Sequence, residues 1–386
     1  IGERAFRGAV GMEILQLPAR LMEIGNHAFF GCWNLSSVTF KEGVPLKIGH
    51  AAFGSCSGLK TVNLPACLTE LAEYSQDFDY ILSPTVDGQN NIDVFYNDSA
   101  LATITIPAEN AYYGVVDGVL YGKNEAGDYD TLYFTPRNNA GTDGTVNIPG
   151  TVAEIKNGAF YNNELVEEVR FEDRTTDAEL TVGAFAFSNA KKLSEVYLPN
   201  GLTTIADSMF NNSSIGYIFI PNTVTYIGER AFYSCKNLTD VDFETGGSAE
   251  LTIADGTRSE GGSSSGGPTN YYGVFGGCTS LMEIAFPERT VKIGAYAFAP
   301  VTDYSGININ ASPLQSVQLP STLEVIGERA FNNAFDLGII FPGSFTSSEG
   351  LTIGERAFYN LGTKVQSLEL PEGVVSIGDE AFRASD

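Results

Sequence analysis

The hexapeptide I-G-x-x-A-F returns so often in this chain that few architectures remain open to it. Near-identical copies run from Ile1 to Phe6, Ile24 to Phe29, Ile48 to Phe53, Ile227 to Phe232, Ile293 to Phe298, Ile326 to Phe331, Ile353 to Phe358 and Ile377 to Phe382. Degenerate copies end at Phe95, Phe160, Phe187, Phe210 and Phe275. Where no insertion intervenes, successive Phe residues lie 22 to 27 apart. A fixed period of this size means that one repeat is too small to bury its own apolar side chains, so that stacking of repeats creates the core. A globular chain of 386 residues would be expected to split into two or three domains, since a single core seldom grows beyond about 250 to 300 residues; an array is free of that limit.

Each unit continues with a small residue three places after the Phe and then a segment of the form L-x-x-V-x-L-P, as in Leu59 to Pro65, Leu193 to Pro199, Leu281 to Pro287 and Val365 to Pro371. Alternating apolar positions rich in β-branched residues predict a short strand with one buried face. The Pro has no N–H to give to a ladder and ends the strand. A linker such as Asn222 to Ile227 leads back to the next I-G, where the Gly is expected to serve a tight corner or a positive φ. The predicted fold class is an α/β-type repeat solenoid: right-handed coils with a parallel β-sheet on one face, mostly β and irregular, with little helix. The stretch after A-F is expected to form the opposite side, irregular or briefly helical. About thirteen units fill residues 1–386 as a single solenoid, with insertions at 74–93, 109–147, 254–273 and 299–313. Because the chain begins part-way through one copy and stops just after another, it is expected to be a piece of a longer array, which leaves the location of the intact protein open.

The combination I-G-x-x-A-F, then Cys or Asn, then L-x-x-V-x-L-P resembles the BspA-like leucine-rich repeat of bacterial cell-surface proteins, over nearly the whole chain. The stretch Tyr113 to Tyr121 followed by Thr131 to Pro136 also resembles a hairpin unit that interrupts such arrays, which places it in the 109–147 insertion. The resemblance implies secretion or surface display in bacteria and adhesion to host or bacterial macromolecules. It brings no catalytic residues. One unit departs from the pattern: Asp336 to Phe341 is one residue short between its first apolar positions, which leaves its strand register open.

Composition narrows the partners. With 47 acidic against 22 basic residues, the formal charge of −25 repels phosphate backbones and anionic membrane surfaces, so nucleic acid is excluded as a partner. No run reaches the roughly 18 to 20 apolar residues of a membrane helix, so no membrane insertion is expected within this chain. Four of the five Cys, namely Cys32, Cys56, Cys235 and Cys278, fill the small-residue slot three places after Phe, where other units carry Asn163, Ala190, Ser213 or Ala334. They are expected to be buried small hydrophobes, although Cys32 and Cys56 share the slot in adjacent coils and so leave a disulfide open. Cys67 has no evident partner. Neither Cys nor His clusters at the short spacing of a metal site, and no cofactor is expected. His27 and His50 replace variable residues of I-G-x-x-A-F and are expected to face solvent, without a catalytic role.

The positions flanking the central V of each strand should point away from the core. Along the chain these outward columns begin small and neutral and turn acidic and aromatic in the middle: Glu168, Arg170, Glu195, Tyr197, Tyr217, Phe219, Asp240 and Asp242. Aromatic rings among charges are the mixture that interface anchors favour, and these eight residues form the candidate binding patch. The alternative is that Tyr and Phe are merely good strand formers stacked on their neighbours. An exposed Phe219 would favour the patch, unless an inserted loop covers it. The Gly- and Ser-rich stretch Glu260 to Pro268 is a flexible tip rather than a phosphate loop, and the acids of Asp77 to Asp79 and Asn124 to Asp130 lack the spacing of a calcium loop. The functional expectation is a non-catalytic, adhesin-like extracellular module that binds a host or bacterial surface protein or glycan as a monomer. A structural spacer for another domain, and a glycan-active enzyme using Glu195 and Asp240, are the alternatives.

Overall fold

The computed structural model describes residues 1–72, 94–95, 97–175, 179–259, 270–300, 312–361 and 368–383. The insertion at 74–93 with Asp77 to Asp79, the tip from Glu260 to Pro268, most of the insertion at 299–313 and the first part of the Val365 to Pro371 strand lie outside them. The chain forms two compact units, residues 1–178 with 183–192, and residues 179–182 with 193–386.

In the first unit the L-x-x-V-x-L segments become strands Ile14–Leu17, Ser37–Phe40, Thr61–Asn63 and Thr103–Thr105, joined in that order as a parallel sheet. The central apolar residue of each strand pairs with its equivalent, Leu15 with Val38 and Val62 with Ile104, so identical positions lie above one another. A second parallel sheet runs through the residues just before each Gly, in strands Glu23–Ile24, Leu46–Ile48 and Leu68–Leu71. The same layout holds in the second unit. There the strands Thr204–Ile205, Tyr226–Ile227, Leu251–Ile253, Thr290–Ile293, Val325–Ile326, Leu351–Ile353 and Val374–Ile377 make a seven-stranded parallel sheet. These segments are too short to announce themselves by alternation, which needs a run of at least about four residues to be read. The shortened unit keeps its place: Gly338, Ile339 and Ile340 pair with Ser316, Val317 and Gln318, so the missing residue is absorbed between Leu337 and the strand.

The side carrying A-F contains no helix among the described residues; it is a stack of turns with its own hydrogen-bond ladder. Alternate N–H groups point to the next coil, Arg329 to the Glu355 carbonyl at 3.0 Å, Phe331 to Ala357 at 2.8 Å and Asn333 to Tyr359 at 2.9 Å. Those between close turns within the coil, as Ala330 does to Gly327 and Asn332 to Arg329. Two left-handed residues per coil make this possible, one just before the Ala and one two places after the Phe, such as Arg329 (φ 52°) and Asn333 (φ 61°). The recurring Gly and Asn after Phe are the residues that accept this conformation at least cost.

The Gly of I-G, by contrast, is not left-handed in the coils that stack on a predecessor. Its role is close approach: a Cβ built on Gly25 would sit 2.7 Å from the Glu3 nitrogen, on Gly327 2.3 Å from Ala295 N, and on Gly354 2.7 Å from Glu328 N. The expected corner or positive φ at this Gly is therefore replaced by a contact with the coil before it.

Between the two sheets and the turns lies a file of Phe rings. In the first unit Phe6, Phe29, Phe53 and Phe95 follow at centroid distances of 5.1, 5.3 and 6.1 Å. In the second, Phe210, Phe232, Phe275, Phe298, Phe331, Phe358 and Phe382 follow at 5.4, 5.2, 5.0, 5.1, 5.1 and 5.1 Å. This spacing is close to the distance between hydrogen-bonded strands, so one ring per coil fills its level of the interior. The insertion at 109–147 enters the same file. Tyr113–Val116, Val119–Lys123 and Tyr129–Phe134 form an antiparallel meander whose first turn is Asp117-Gly118, both left-handed, as a two-residue hairpin turn requires. Its third strand then pairs in parallel with Glu154–Ile155 and brings Phe134 to 5.9 Å from Phe95. The insertion at 254–273 has a hairpin base, Thr257–Ser259 against Asn270–Tyr272.

Cys32, Cys56, Cys235 and Cys278 are free and buried. Each thiol donates to the backbone carbonyl of the Phe one coil earlier, at 3.3, 3.3, 3.0 and 3.1 Å. Cys32 and Cys56 are not bridged. Burial pushes the Cys56 and Cys278 thiols up, which disfavours the reactive thiolate.

Arg289 was given no role by its sequence context, yet it is 8% exposed and ties together three carbonyls from two segments of the second unit. Its guanidinium donates to Val224 O at 2.5 Å, Ala249 O at 3.4 Å and Pro221 O at 3.5 Å. Burial lowers its pKa. Replacing Arg289 by Met keeps the stem and removes the guanidinium from these carbonyls, of which Pro221 O keeps the Val224 N–H at 3.1 Å. The expected loss is about 2 kcal/mol, read as a lower urea midpoint at unchanged slope; an unchanged midpoint refutes the role.

Candidate functional site

Alternation along the short strands puts the candidate patch on the outer surface, as the pattern requires. In the first unit, strand Glu168–Phe171 carries Glu168 half-buried and Arg170 exposed. These two satisfy each other through an Arg170 Nε to Glu168 Oε1 contact of 2.5 Å, and Thr145 Oγ1 donates to Glu168 at 3.3 Å.

The other six residues belong to the second unit. They stand on strands Glu195–Tyr197, Tyr217–Ile220 and Asp240–Phe243, whose inward side chains Val196, Ile218, Ile220 and Val241 are buried. Gly216 N donates to Ser194 O at 3.2 Å, making the first two strands neighbours. The second and third are paired in parallel, with Tyr217 opposite Asp240 and Phe219 opposite Asp242. Three rings are bare: Tyr197 is 55%, Tyr217 44% and Phe219 42% exposed. Among the described residues Phe219 stays exposed.

The carboxylates on this face are held by local hydrogen bonds. The Tyr197 hydroxyl donates to Glu195 Oε2 at 2.7 Å, and Thr239 Oγ1 donates to Asp240 Oδ2 at 2.6 Å. The Tyr217 phenol is raised above its ordinary value by desolvation, by its hydrogen bond to Asp242 and by the Asp242 and Asp240 charges. The face thus carries three aromatic plates in a negative field. It offers contact area and charge, and its acids lie in the open rather than flanking a cleft as the two carboxyl groups of a glycosidase do.

The histidines depart from the expectation that they face solvent: His27 and His50 are 6% and 5% exposed. His27 occupies the left-handed place of its coil (φ 55°), and its ring packs 5.2 Å from His50, edge to face, and 5.6 Å from Phe30. Stacking on the next coil buries what a single coil would expose. Burial, followed by the Arg4 and Arg7 charges, lowers the His27 pKa below its ordinary value, against a smaller opposing effect of Glu3. The unfolded chain therefore takes up this proton before the folded one, so the stability His27 confers is complete above pH 6.5 and is lost as pH falls below it. The urea midpoint is expected to drop between pH 7.5 and 5.5, and His27→Asn, which accepts a left-handed backbone, should flatten that drop. An equal pH slope in both proteins refutes it.

The Glu-Arg dipeptides pair within their own coil, at 3.4, 3.1, 3.0 and 3.1 Å for Glu3–Arg4, Glu229–Arg230, Glu328–Arg329 and Glu355–Arg356. Arg356 also reaches Glu380 of the next coil at 2.6 Å. Pairs at the surface like these contribute little, and the Arg230 and Arg329 side chains are themselves partly covered. One exposed residue that the outward columns did not contain is Trp33, 60% exposed on the turn side of the first unit. The signal for it was present: other coils carry Ser57, Glu164, Lys191 or Lys236 at that place.

The profile described as BspA type leucine rich repeat region matches residues 1–115, 153–251 and 271–385, in six copies. Among solved structures, the pneumococcal vaccine antigen PcpA superposes with a TM-score of 0.57 at 21% identity, over 86% of this chain and 68% of that one. A leucine-rich repeat protein from Eubacterium ventriosum superposes with a TM-score of 0.50 at 17% identity, over 99% of this chain and 79% of that one. At these identities the likeness is one of fold. No curated protein matches the chain.

Proposed function

The chain belongs to the BspA-type leucine rich repeat family, and from that premise we propose that it is a non-catalytic binding module of a bacterial cell surface, whose aromatic and acidic sheet face holds a partner protein. The observation that carries this reading is the bare trio Tyr197, Tyr217 and Phe219 on neighbouring strands of the second unit, with Glu195, Asp240 and Asp242 beside them. Rings already held in place by strand pairing lose little freedom on contact, so they make efficient anchors. The surrounding carboxylates favour a partner with a basic patch and speed its approach. A small or neutral glycan would leave most of these carboxylates unmatched. Surface display agrees with the fold that the chain shares with a vaccine antigen.

The test is a binding panel of purified host-matrix and bacterial surface proteins, immobilised and probed with the wild-type chain. Each partner found is then probed with the Tyr197→Ala, Tyr217→Ala, Phe219→Ala triple variant. Truncating central aromatic anchors costs about 2 to 4 kcal/mol, so binding should weaken by at least about thirtyfold, and it should also weaken as salt rises. A partner that binds wild type and variant equally removes the sheet face from the reading. Binding that strengthens with salt removes the charge argument.

A further inference from the structure

The turn side of the first unit carries a second candidate surface, unrelated to the sheet patch. In several coils the residue four places after the ladder Phe is polar and exposed, as Ser57, Glu164 and Lys191 are, whereas Val10 and Phe335 are exposed apolar residues there. In the second coil it is Trp33, the one tryptophan of the chain. A large ring in water is unfavourable, so a surface that keeps one gains nothing from it unless something else covers it.

Trp33 borders a groove of about 620 Å³ that runs across the first coils. Gly8 and Gly31, both left-handed at φ 73° and 74°, lie along it and have no side chains to fill it. A Cβ on Gly31 would lie 3.7 Å from Trp33 Nε1, which sets the indole against that bare backbone. Phe30 also lines the groove, with the Arg7 guanidinium 5.4 Å above its ring. Ser55, Ser57 and Asn97 supply neutral hydrogen-bonding groups, with Asn97 Nδ2 3.4 Å from Ser55 Oγ.

The charge of the groove is the second observation. The chain has 47 carboxylates for 22 Lys and Arg, yet no carboxylate lines this cavity. Arg7 makes no ion pair among the described residues, whereas Arg4, three positions earlier, is paired with Glu3. An aromatic plate, neutral hydroxyl and amide groups and one unpaired guanidinium match the parts of an acidic sugar. Its C–H face suits an indole, its hydroxyls suit Ser and Asn, and its carboxylate suits the planar fork of Arg.

We propose that this groove binds a carboxylate-bearing glycan, stacked on Trp33 with its carboxylate on Arg7. The single indole makes the site directly readable, because any change in tryptophan emission reports on Trp33 alone. The whole chain is titrated with two matched pairs of probes: sialyllactose against lactose, and a glucuronate-bearing hyaluronan tetrasaccharide against neutral chitotetraose. At least one acidic sugar should shift or quench the emission and bind about tenfold or more tightly than its neutral counterpart, the value of one charge-assisted contact. Arg7→Gln, confirmed as folded by circular dichroism, should bring the pair to near parity. Ser57→Tyr, which fills the groove and leaves Arg7 in place, should abolish the response. Tyr197→Ala in the second unit should leave it unchanged, so that failure of this site and failure of the sheet face are told apart. Silence of the indole towards both acidic sugars at about 10 mM, equal binding of acidic and neutral sugars, or retained preference in Arg7→Gln each overturns the proposal.

Discussion

Phe331→Ala should destabilise the second unit by about 3 to 5 kcal/mol, the range for truncating a fully buried aromatic. The ring is 0% exposed and lies between Phe298 and Phe358, at 5.1 Å from each. Removing it opens a void at one level of the stack and strips both neighbours of a ring contact. The backbone cannot collapse into the void, because Arg329, Phe331 and Asn333 hold that coil at fixed distance through N–H bonds to Glu355, Ala357 and Tyr359. In an array each coil is stabilised mainly by its immediate neighbours, so the loss should be local. Hydrogen exchange should show Phe298 to Phe382 losing protection while the amides of the Phe29 to Phe53 coils keep theirs. Phe382→Ala serves as the scale: that ring is half-buried and stacks on Phe358, and its removal should cost clearly less. Equal costs at the two positions, or uniform loss of protection, would contradict the ladder.

Gly327→Ala is the second large effect, and its sign is opposite to the usual benefit of replacing Gly by Ala. Restricting the unfolded chain would normally stabilise by about 0.4 to 1 kcal/mol where the conformation is compatible. Here the added methyl would lie 2.3 Å from Ala295 N and 2.6 Å from the Gly294 carbonyl carbon, both backbone atoms that cannot swing aside. The coils must therefore separate, stretching the Gly327 N–H to Ile293 carbonyl bond of 2.8 Å that joins them. A net loss of about 1 to 3 kcal/mol follows from overpacking of this kind. A useful contrast is Gly343→Ala, whose Cβ would meet nothing within 4 Å. Thermal unfolding of the two variants should differ by several degrees, and a Gly327→Ala protein as stable as wild type would show that the approach is not needed.

These two expectations separate scaffold from surface. Phe331 and Gly327 build the stack and touch no partner, whereas Tyr197, Tyr217, Phe219 and Trp33 stand outside it. Their substitution should leave folding nearly intact while changing what the protein binds. That independence is what an array offers: the outward residue of a strand can vary from coil to coil while the inward one stays apolar, and so the acidic and aromatic stretch can arise in one part of a uniform body.

Much that repeats was legible in the sequence, because a periodic residue announces its own environment; the second sheet, built of strands two to four residues long, was not. The Phe ladder, the strands with their outward columns, the small slot after Phe that holds Cys32, Cys56, Cys235 and Cys278, and the exposure of Tyr217 follow from spacing alone. What depends on the coil before or after could only be decided by the tertiary structure. The Gly of I-G looked like a turn residue and proved to be a contact residue, since the atom it makes room for lies one whole coil away. His27 and His50 looked exposed and are buried, because their neighbours in space are each other. Arg289 stood in no motif of the sequence and spans carbonyls at positions 221, 224 and 249. The physical reason is the same in each case: periodicity reports which way a side chain points, while burial and hydrogen bonding are settled by whatever the stacking places against it.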